Sequence, residues 1–342
     1  MTPFLLSLLR DPITKEPLKL VNEKIVDGEI ISGKLISASE KEYPIHNGIP
    51  RFVQSEEIKK SVNSFGDEWN HFNFIDFKHH WAEHTIKNTF GTTDIFKDKV
   101  IVDAGGGSGA QTKWMLEYGA KHLILLDLSH SIDDVVLRNI DKSRWKNVDI
   151  IQCSIDAPPF ADNSPFDLVI CHNVIQHTPS VEKTAEALFG ITKRGGEFVF
   201  NCYPLNDQGP LRWVRFHLIY QNLRKYLSKQ SFSSILLYSK VMGLLRLLPL
   251  LGYALDKLSF CVTGDIPIKK EEPVAGRLRR KYRATVLNTF DTFGSHAYQH
   301  HKSDQEILDL VGRLQRDKSK VLNRDIYFTR PMPIGCALRV IK

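Results

Sequence analysis

The residues of this 342-residue chain best spaced for chemistry are Val100-Ile-Val-Asp-Ala-Gly-Gly-Gly-Ser-Gly-Ala110, followed by Leu123-Ile-Leu-Leu-Asp127. The short apolar run from Val100 to Val102 predicts a buried strand. The glycines after it allow a sharp turn and a close approach of backbone to a ligand, where any Cβ would collide. Helix formers resume at Gln111 to Glu117. A second apolar run then ends in Asp127, about 20 residues beyond the turn, where a carboxylate can accept both hydroxyls of a ribose. Strand, glycine loop, helix, strand and acid in that order point to an adenosine-containing cofactor. Gly105, Gly107 and Ala110 also satisfy the dinucleotide pattern, so glycine spacing alone leaves a nicotinamide cofactor open.

Asp103 within the turn, in Asp103-x-Gly105-x-Gly107-x-Gly109, and two later strand ends narrow the choice. With them the sequence resembles the class I S-adenosylmethionine-dependent methyltransferases. The resemblance implies an α/β, Rossmann-like sheet, mostly parallel with an antiparallel last strand. It implies that Asp103, Ala104, Gly105, Gly107 and Gly109 pack against the methionine part of the cofactor, and that Asp127 and Leu128 hold the ribose. Ser154 and Ile155, in the phrase Val148 to Phe160, would flank the adenine, with Ser154 standing where many relatives carry Asp. Phe166-Asp-Leu-Val-Ile-Cys-His172-Asn173-Val-Ile-Gln176-His177-Thr-Pro179 resembles the fourth strand and its loop, which assigns Asn173 to the cofactor. Arg194 to Asn201 supplies a tight turn and a fifth strand. Each feature also has a plainer reading: a glycine turn often only joins strand to helix, and Asp127 could cap a helix near Ser129.

Methyl transfer asks a protein to position the acceptor, remove water and, for a hydroxyl, accept a proton. Histidine suits the last task near neutral pH. By the resemblance, His177 lies beside the transferred methyl group and is the first candidate for a base or acceptor ligand. Tyr298 and His300, with His301, come second, at the rim of the acceptor pocket. Ser303 and Glu306 have capping-box spacing before a helix from Ile307. Ile326–Thr329 and Cys336–Ile341 are expected as the last two strands. In Phe65-Gly-x-x-Trp69, Trp69 is either a lid over the cofactor or a core anchor. His80 and His84 are one helical turn apart without a third ligand, and no metal is expected.

Five regions follow: 1–55, 56–98 (a helical lead-in or lid), 99–203 (the cofactor-binding core), 204–285 (a helical insertion) and 286–342 (completing the core). The first resembles the small zinc-ribbon-like domains related to the activator subunit of transfer-RNA methyltransferases. No cysteine stands near Asp11, Thr14, Ile36 or Ser39, so this copy is expected to be metal-free, an α+β ribbon held by its apolar core alone. In the insertion, Pro210 to Phe260 carries eight basic residues against one acid, Asp256, with leucines at 244, 245, 247, 248, 250 and 251. That composition suits helices that pack on the core or lie on an anionic membrane surface. No recognised module favours nucleic acid. Five scattered cysteines argue against a disulfide framework. No apolar run approaches a membrane span, and a cytoplasmic setting is expected, with peripheral membrane contact through 210–260. The expected function is methylation of a small-molecule, sugar or lipid-linked acceptor. The rivals are an NAD(P)-dependent oxidoreductase and a non-catalytic cofactor-binding adaptor.

Overall fold

At the N-terminus, alternating apolar residues build a four-stranded antiparallel meander: β1 (Lys19–Val26), β2 (Glu29–Ile36), β3 (Glu42–His46) and β4 (Ile49–Pro50). Tyr43 and Ile45, two apart on β3, point inward and are fully buried. Asp27 and Gly28 both take positive φ, 51° and 78°, as a tight turn matched to strand twist requires. A helix, Pro3–Leu8, precedes the meander, capped by the Thr2 hydroxyl, which accepts from the Leu5 amide at 3.1 Å.

The computed structural model describes residues 1–53, 65–72, 75–141, 143, 145–205, 207–264, 273–294, 296, 298–316, 326–329 and 336–342. Its main sheet contains β5 (Val100–Ala104), β6 (His122–Asp127), β7 (Val148–Gln152), β8 (Phe166–Cys171), β9 (Thr192–Pro204), β11 (Ile326–Thr329) and β12 (Cys336–Ile341), with the short β10 (His301–Lys302) paired to β9. The strand order is β11-β12-β9-β8-β5-β6-β7. Pairs from β7 to β9 are parallel, whereas β12 runs antiparallel to both β9 and β11. This is the Rossmann-like methyltransferase sheet expected, antiparallel last strand included. The near-continuous apolar runs of β5, β6 and β8 fit strands covered on both faces. Helix Ala110–Glu117 covers one face with Trp114 and Met115, and helices Val181–Ile191 and Asp304–Arg316 cover the other with Leu188, Phe189, Leu310 and Val311. The chain leaves β5 toward β6 and β7, then crosses to β8 on the opposite side. The carboxyl ends of β5 and β8 therefore form a topological switch point, where open α/β sheets bind ligands.

Two expected boundaries need correction. The described part of the first region, residues 1–53, is not separate in packing: Leu9, Leu35, Tyr43 and Phe52 belong to the same buried cluster as Ile151, Cys153 and Phe160. Polar ties add to that shared core, because the Thr2 amide and hydroxyl both donate to the buried Asp149, at 2.8 and 2.5 Å. The turn ahead of β1 is also held by more than apolar contacts. Asp11 accepts from the amides of Ile13 (2.8 Å) and Thr14 (2.9 Å) and from the Tyr43 hydroxyl (2.8 Å). Burial works to raise the Asp11 pKa, but these donors hold it below the usual carboxylate value.

Nor does the chain divide at 285. Helix Val274–Phe293 runs straight through that position, and residues 204–297 form one compact unit while 1–203 and 298–342 form the other. Within 204–297, Phe216, Tyr220, Leu227 and Phe293 make a small core. Helix Phe232–Leu245 packs on Val274–Phe293 at Gly243, where a Cβ would stand 2.7 Å from Val286.

Candidate active site

The loop between β5 and helix Ala110–Glu117 is shaped by glycines in the left-handed region. Gly105 has φ +85° and Gly107 +55°, and Gly109 caps the helix at +76°. A Cβ on Gly105 would fall 2.4 Å from Val174, and one on Gly107 would fall 2.9 Å from the Trp69 ring. Only glycine satisfies both the torsion and the space. Ala104, at the strand end, is fully buried. The Gly105 amide donates to the Leu126 carbonyl at 2.7 Å, which sets the loop beside the end of β6.

Two buried carboxylates flank this loop. Asp127 accepts from the Gly107 amide (2.7 Å), the Ser129 amide (2.8 Å) and the Ser129 hydroxyl (2.6 Å). Burial raises its pKa and these donors oppose the rise. Its acceptor capacity is largely committed to protein donors, so a ribose hydroxyl must share with or displace one of them. The Ser129 hydroxyl is the donor able to yield, having a second partner in Ser131 Oγ at 2.7 Å. Asp127 does not cap the short turn that follows, whose N-cap is Ser129 without a side-chain cap bond; its carboxylate instead bonds the Ser129 amide locally and the glycine loop across space. Asp103 accepts from Thr112 Oγ1 at 2.5 Å, tying the two ends of the loop. Burial pushes its pKa up to about 6; the Thr112 bond opposes the shift and the Asp127 charge adds to it.

The other cofactor candidates gather at the same sheet edge. The Cys153 amide donates to the Asp127 carbonyl at 3.1 Å, bringing Ser154 and the buried Ile155 next to β6. The Leu128 carbonyl accepts from Gln152 Nε2 at 3.1 Å. Asn173, with φ +60°, exchanges bonds with Asn201: its amide donates to Asn201 Oδ1 at 2.6 Å and its Oδ1 accepts from Asn201 Nδ2.

Helix 65–71 lies across this edge. Phe65 and Trp69 are one turn apart and so share a face. Trp69 lies against Gly107, and the Phe65 ring meets His177 edge-on at 5.3 Å. The same helix closes on the loop after β6, because a Cβ on Gly66 would overlap the His130 ring and the Val135 amide donates to Asn70 Oδ1 at 3.3 Å. Trp69 therefore sits on the glycine loop itself.

His177 occupies the loop after β8, between Phe65 and Tyr203, whose ring centroid is 5.5 Å away. Its Nδ1 bonds the Tyr298 carbonyl at 3.1 Å. A carbonyl can only accept, so in the neutral ring Nδ1 carries the proton and Nε2 the lone pair. His300 is tied down: its amide donates to the Gln176 carbonyl at 2.9 Å and its Nε2 bonds the Thr178 carbonyl at 3.0 Å. Its ring stacks on Tyr298, which is 44% exposed, while His301 meets Tyr203. The structure thus brings His177, Tyr298 and His300 together, but commits Nε2 of His300 to shaping the loop.

Sequence reasoning passed over three neighbours. Asn201 orients Asn173, and its signal was a polar residue set within the apolar run of a strand. Gln111 and His172 line a small cavity with Trp81, Thr85, Ile170 and Val199, with room for about one water molecule. Gln111 Nε2 donates to His172 Nδ1 at 3.3 Å. Part of His172 remains accessible, yet burial of its ring pushes the pKa down to about 4. Cys171 and Cys202 are buried, which raises both thiols, Cys202 to about 12.

Strand order, the switch-point loop and the acid ending β6 are the layout of the Rossmann-like methyltransferase fold. Comparison with known proteins agrees: residues 102–200 match the protein-family profile described as "Methyltransferase domain". The ubiquinone/menaquinone biosynthesis C-methyltransferase UbiE of Legionella pneumophila subsp. pneumophila (strain Philadelphia 1) is 24% identical over 146 residues, 42% of this chain and 56% of that protein. A tRNA U34 carboxymethyltransferase of Helicobacter acinonychis (strain Sheeba) is 31% identical over 110 residues, 31% of this chain and 40% of that one. The chain spans about half the length of the curated relatives it matches. Among solved structures, geranyl diphosphate C-methyltransferase from Streptomyces coelicolor A3(2) aligns with a TM-score of 0.30 and 20% identity over 34% of this chain and 42% of its own.

Proposed function

We propose that this protein transfers a methyl group from S-adenosylmethionine to a small-molecule, sugar or lipid-linked acceptor, with His177 accepting the acceptor's proton. The observation that carries this reading is helix 65–71, whose Trp69 lies on the cofactor loop and whose Phe65 lies on His177. One element thus links the two halves of a transfer site. When bound, the cofactor supplies a methyl carbon already activated by its sulfonium. The residues present suit it: a loop that any Cβ would fill, an acid at the end of β6, and a second acid, Asp103, held near the sheet edge. Gly105 and Gly107 would seat the methionine part, Asp127 and Leu128 the ribose, and Ser154 and Ile155 the adenine.

The remaining tasks fall to the chain itself. Trp69 and Phe65 would exclude water from the reacting centre. The Tyr298 carbonyl holds His177 in the tautomer whose Nε2 can take a proton from an acceptor hydroxyl, and Asn201 fixes the Asn173 turn. His300 positions the loop and Tyr298 stands at its rim. The N-terminal ribbon acts as a brace for β7 through Asp149, and the protein works in the cytoplasm. Calorimetric titration with S-adenosylmethionine and with NAD tests the cofactor half: binding of the first alone is expected, and binding of NAD alone would overturn it. Transfer of labelled methyl into an extract fraction, lost in His177→Ala with cofactor affinity retained, tests the other half.

A further inference from the structure

Helix Phe232–Leu245, in the 204–297 unit, is apolar on opposite sides. Ile235, Ser239 and Gly243 form its buried face, the one that packs on Val274–Phe293. Leu237, Val241 and Leu244, spaced i, i+4 and i+7, form the other face and are 63%, 41% and 60% exposed. The exposed aliphatic surface continues through Leu248, Leu250 (89%) and Leu251 into helix Pro249–Lys257. An apolar stripe of this length facing water implies an occupant.

Charge identifies the occupant. Residues 204–297 hold fifteen Lys and Arg against six Asp and Glu, a net +9, whereas the rest of the chain holds 31 against 33, a net −2. Lys240 lies on the striped helix, and Arg277, Arg279 and Arg283 are exposed on Val274–Phe293. A second copy of the chain would set +9 against +9 across an apolar contact. Nucleic acid would meet leucine and valine, which cannot stack on bases. An anionic bilayer satisfies both properties at once, and exposed Trp213, Tyr226 and Tyr253 are residue types favoured at that interface. No helix among the described residues is long and apolar enough to cross a membrane, so the contact is with the surface.

We propose that the 204–297 unit docks on an anionic lipid surface through the Leu237, Val241 and Leu244 face and the leucines that follow it. This deepens the lipid-linked reading of the acceptor but is tested without turnover, so cofactor titration distinguishes failure of one from failure of the other. The full-length protein is sedimented with phosphatidylcholine vesicles and with vesicles that also contain phosphatidylglycerol. Binding at least about tenfold stronger to the anionic vesicles is expected, weakening with salt. Leu237→Asp combined with Leu244→Asp should lower that binding at least about tenfold while circular dichroism and cofactor affinity stay unchanged. Arg277→Glu, Arg279→Glu and Arg283→Glu together should remove the preference for anionic lipid. Equal binding to both vesicle types, no binding, or an unaltered bound fraction in the Asp double variant would overturn the proposal. So would a dimer in analytical ultracentrifugation that the double variant dissolves.

Discussion

The two compact units solve the problem of apolar surface in opposite ways. In residues 1–203 with 298–342, the sheet is covered on both faces, the N-terminal meander shares its core, and the local net charge is slightly negative. In residues 204–297 the cores are small, leucines stand in water and the charge is strongly positive. The first is what a fold needs to hold a strained loop and two buried acids; the second is what a surface needs in order to meet something outside the chain. The two proposals divide in the same way, with transfer chemistry assigned to the covered unit and membrane docking to the uncovered one.

Substitutions can break this contrast, and the largest expected effect is on turnover. His177→Ala should lower kcat roughly 100- to 10,000-fold while S-adenosylmethionine affinity holds, as loss of a general base requires. Wild-type turnover would remove His177 from the mechanism. Next comes the glycine loop: Gly105→Ala combines a left-handed backbone with a 2.4 Å approach to Val174, and denaturant unfolding should register a loss of about 2–4 kcal/mol. Asp127→Ala removes charge-assisted bonds of about 1.5–3 kcal/mol, so calorimetry should find cofactor binding weakened roughly 10- to 100-fold.

Acid offers a subtler probe of the covered unit. His172 titrates near 4 in the folded protein because its ring is buried, against about 6.5 in the unfolded chain. The unfolded chain takes up the proton first, so this residue's contribution is intact above about pH 6.5 and is lost as pH falls toward 4. The stability difference between pH 7 and pH 5 should therefore be smaller in His172→Gln than in the wild type, as read by unfolding at both pH values. An equal difference would mean that the ring is not neutral in the fold. The smallest effect belongs to the uncovered unit: Leu250→Ser, at an 89% exposed position, should shift stability by no more than about 0.5 kcal/mol. A larger loss would mean that this leucine packs inside the protein after all.

Much of the covered unit was legible beforehand. Apolar runs ending in Asp103 and Asp127, and glycines that no other residue could replace, mark a strand, loop, helix and strand from local chemistry alone. The last two strands and the Ser303–Glu306 capping box were also readable, and the box forms as spaced: the Glu306 amide donates to Ser303 Oγ at 3.3 Å and the Ser303 amide to Glu306 at 2.8 Å. Such signals are local, because spacing along the chain is nearly spacing in space.

Contacts between distant segments were not legible. That Asp149 receives Thr2, that Phe65 and Trp69 span from His177 to Gly107, and that the N-terminal meander merges with the core all join residues far apart in sequence. The sequence by itself determined the strand order's raw material, the loop and the charge of the insertion. Tertiary structure alone decided which apolar faces were covered, because burial depends on what packs opposite a residue. The aliphatic residues at 235 and 237 read alike in one dimension; only three dimensions separate the buried Ile235 from the exposed Leu237.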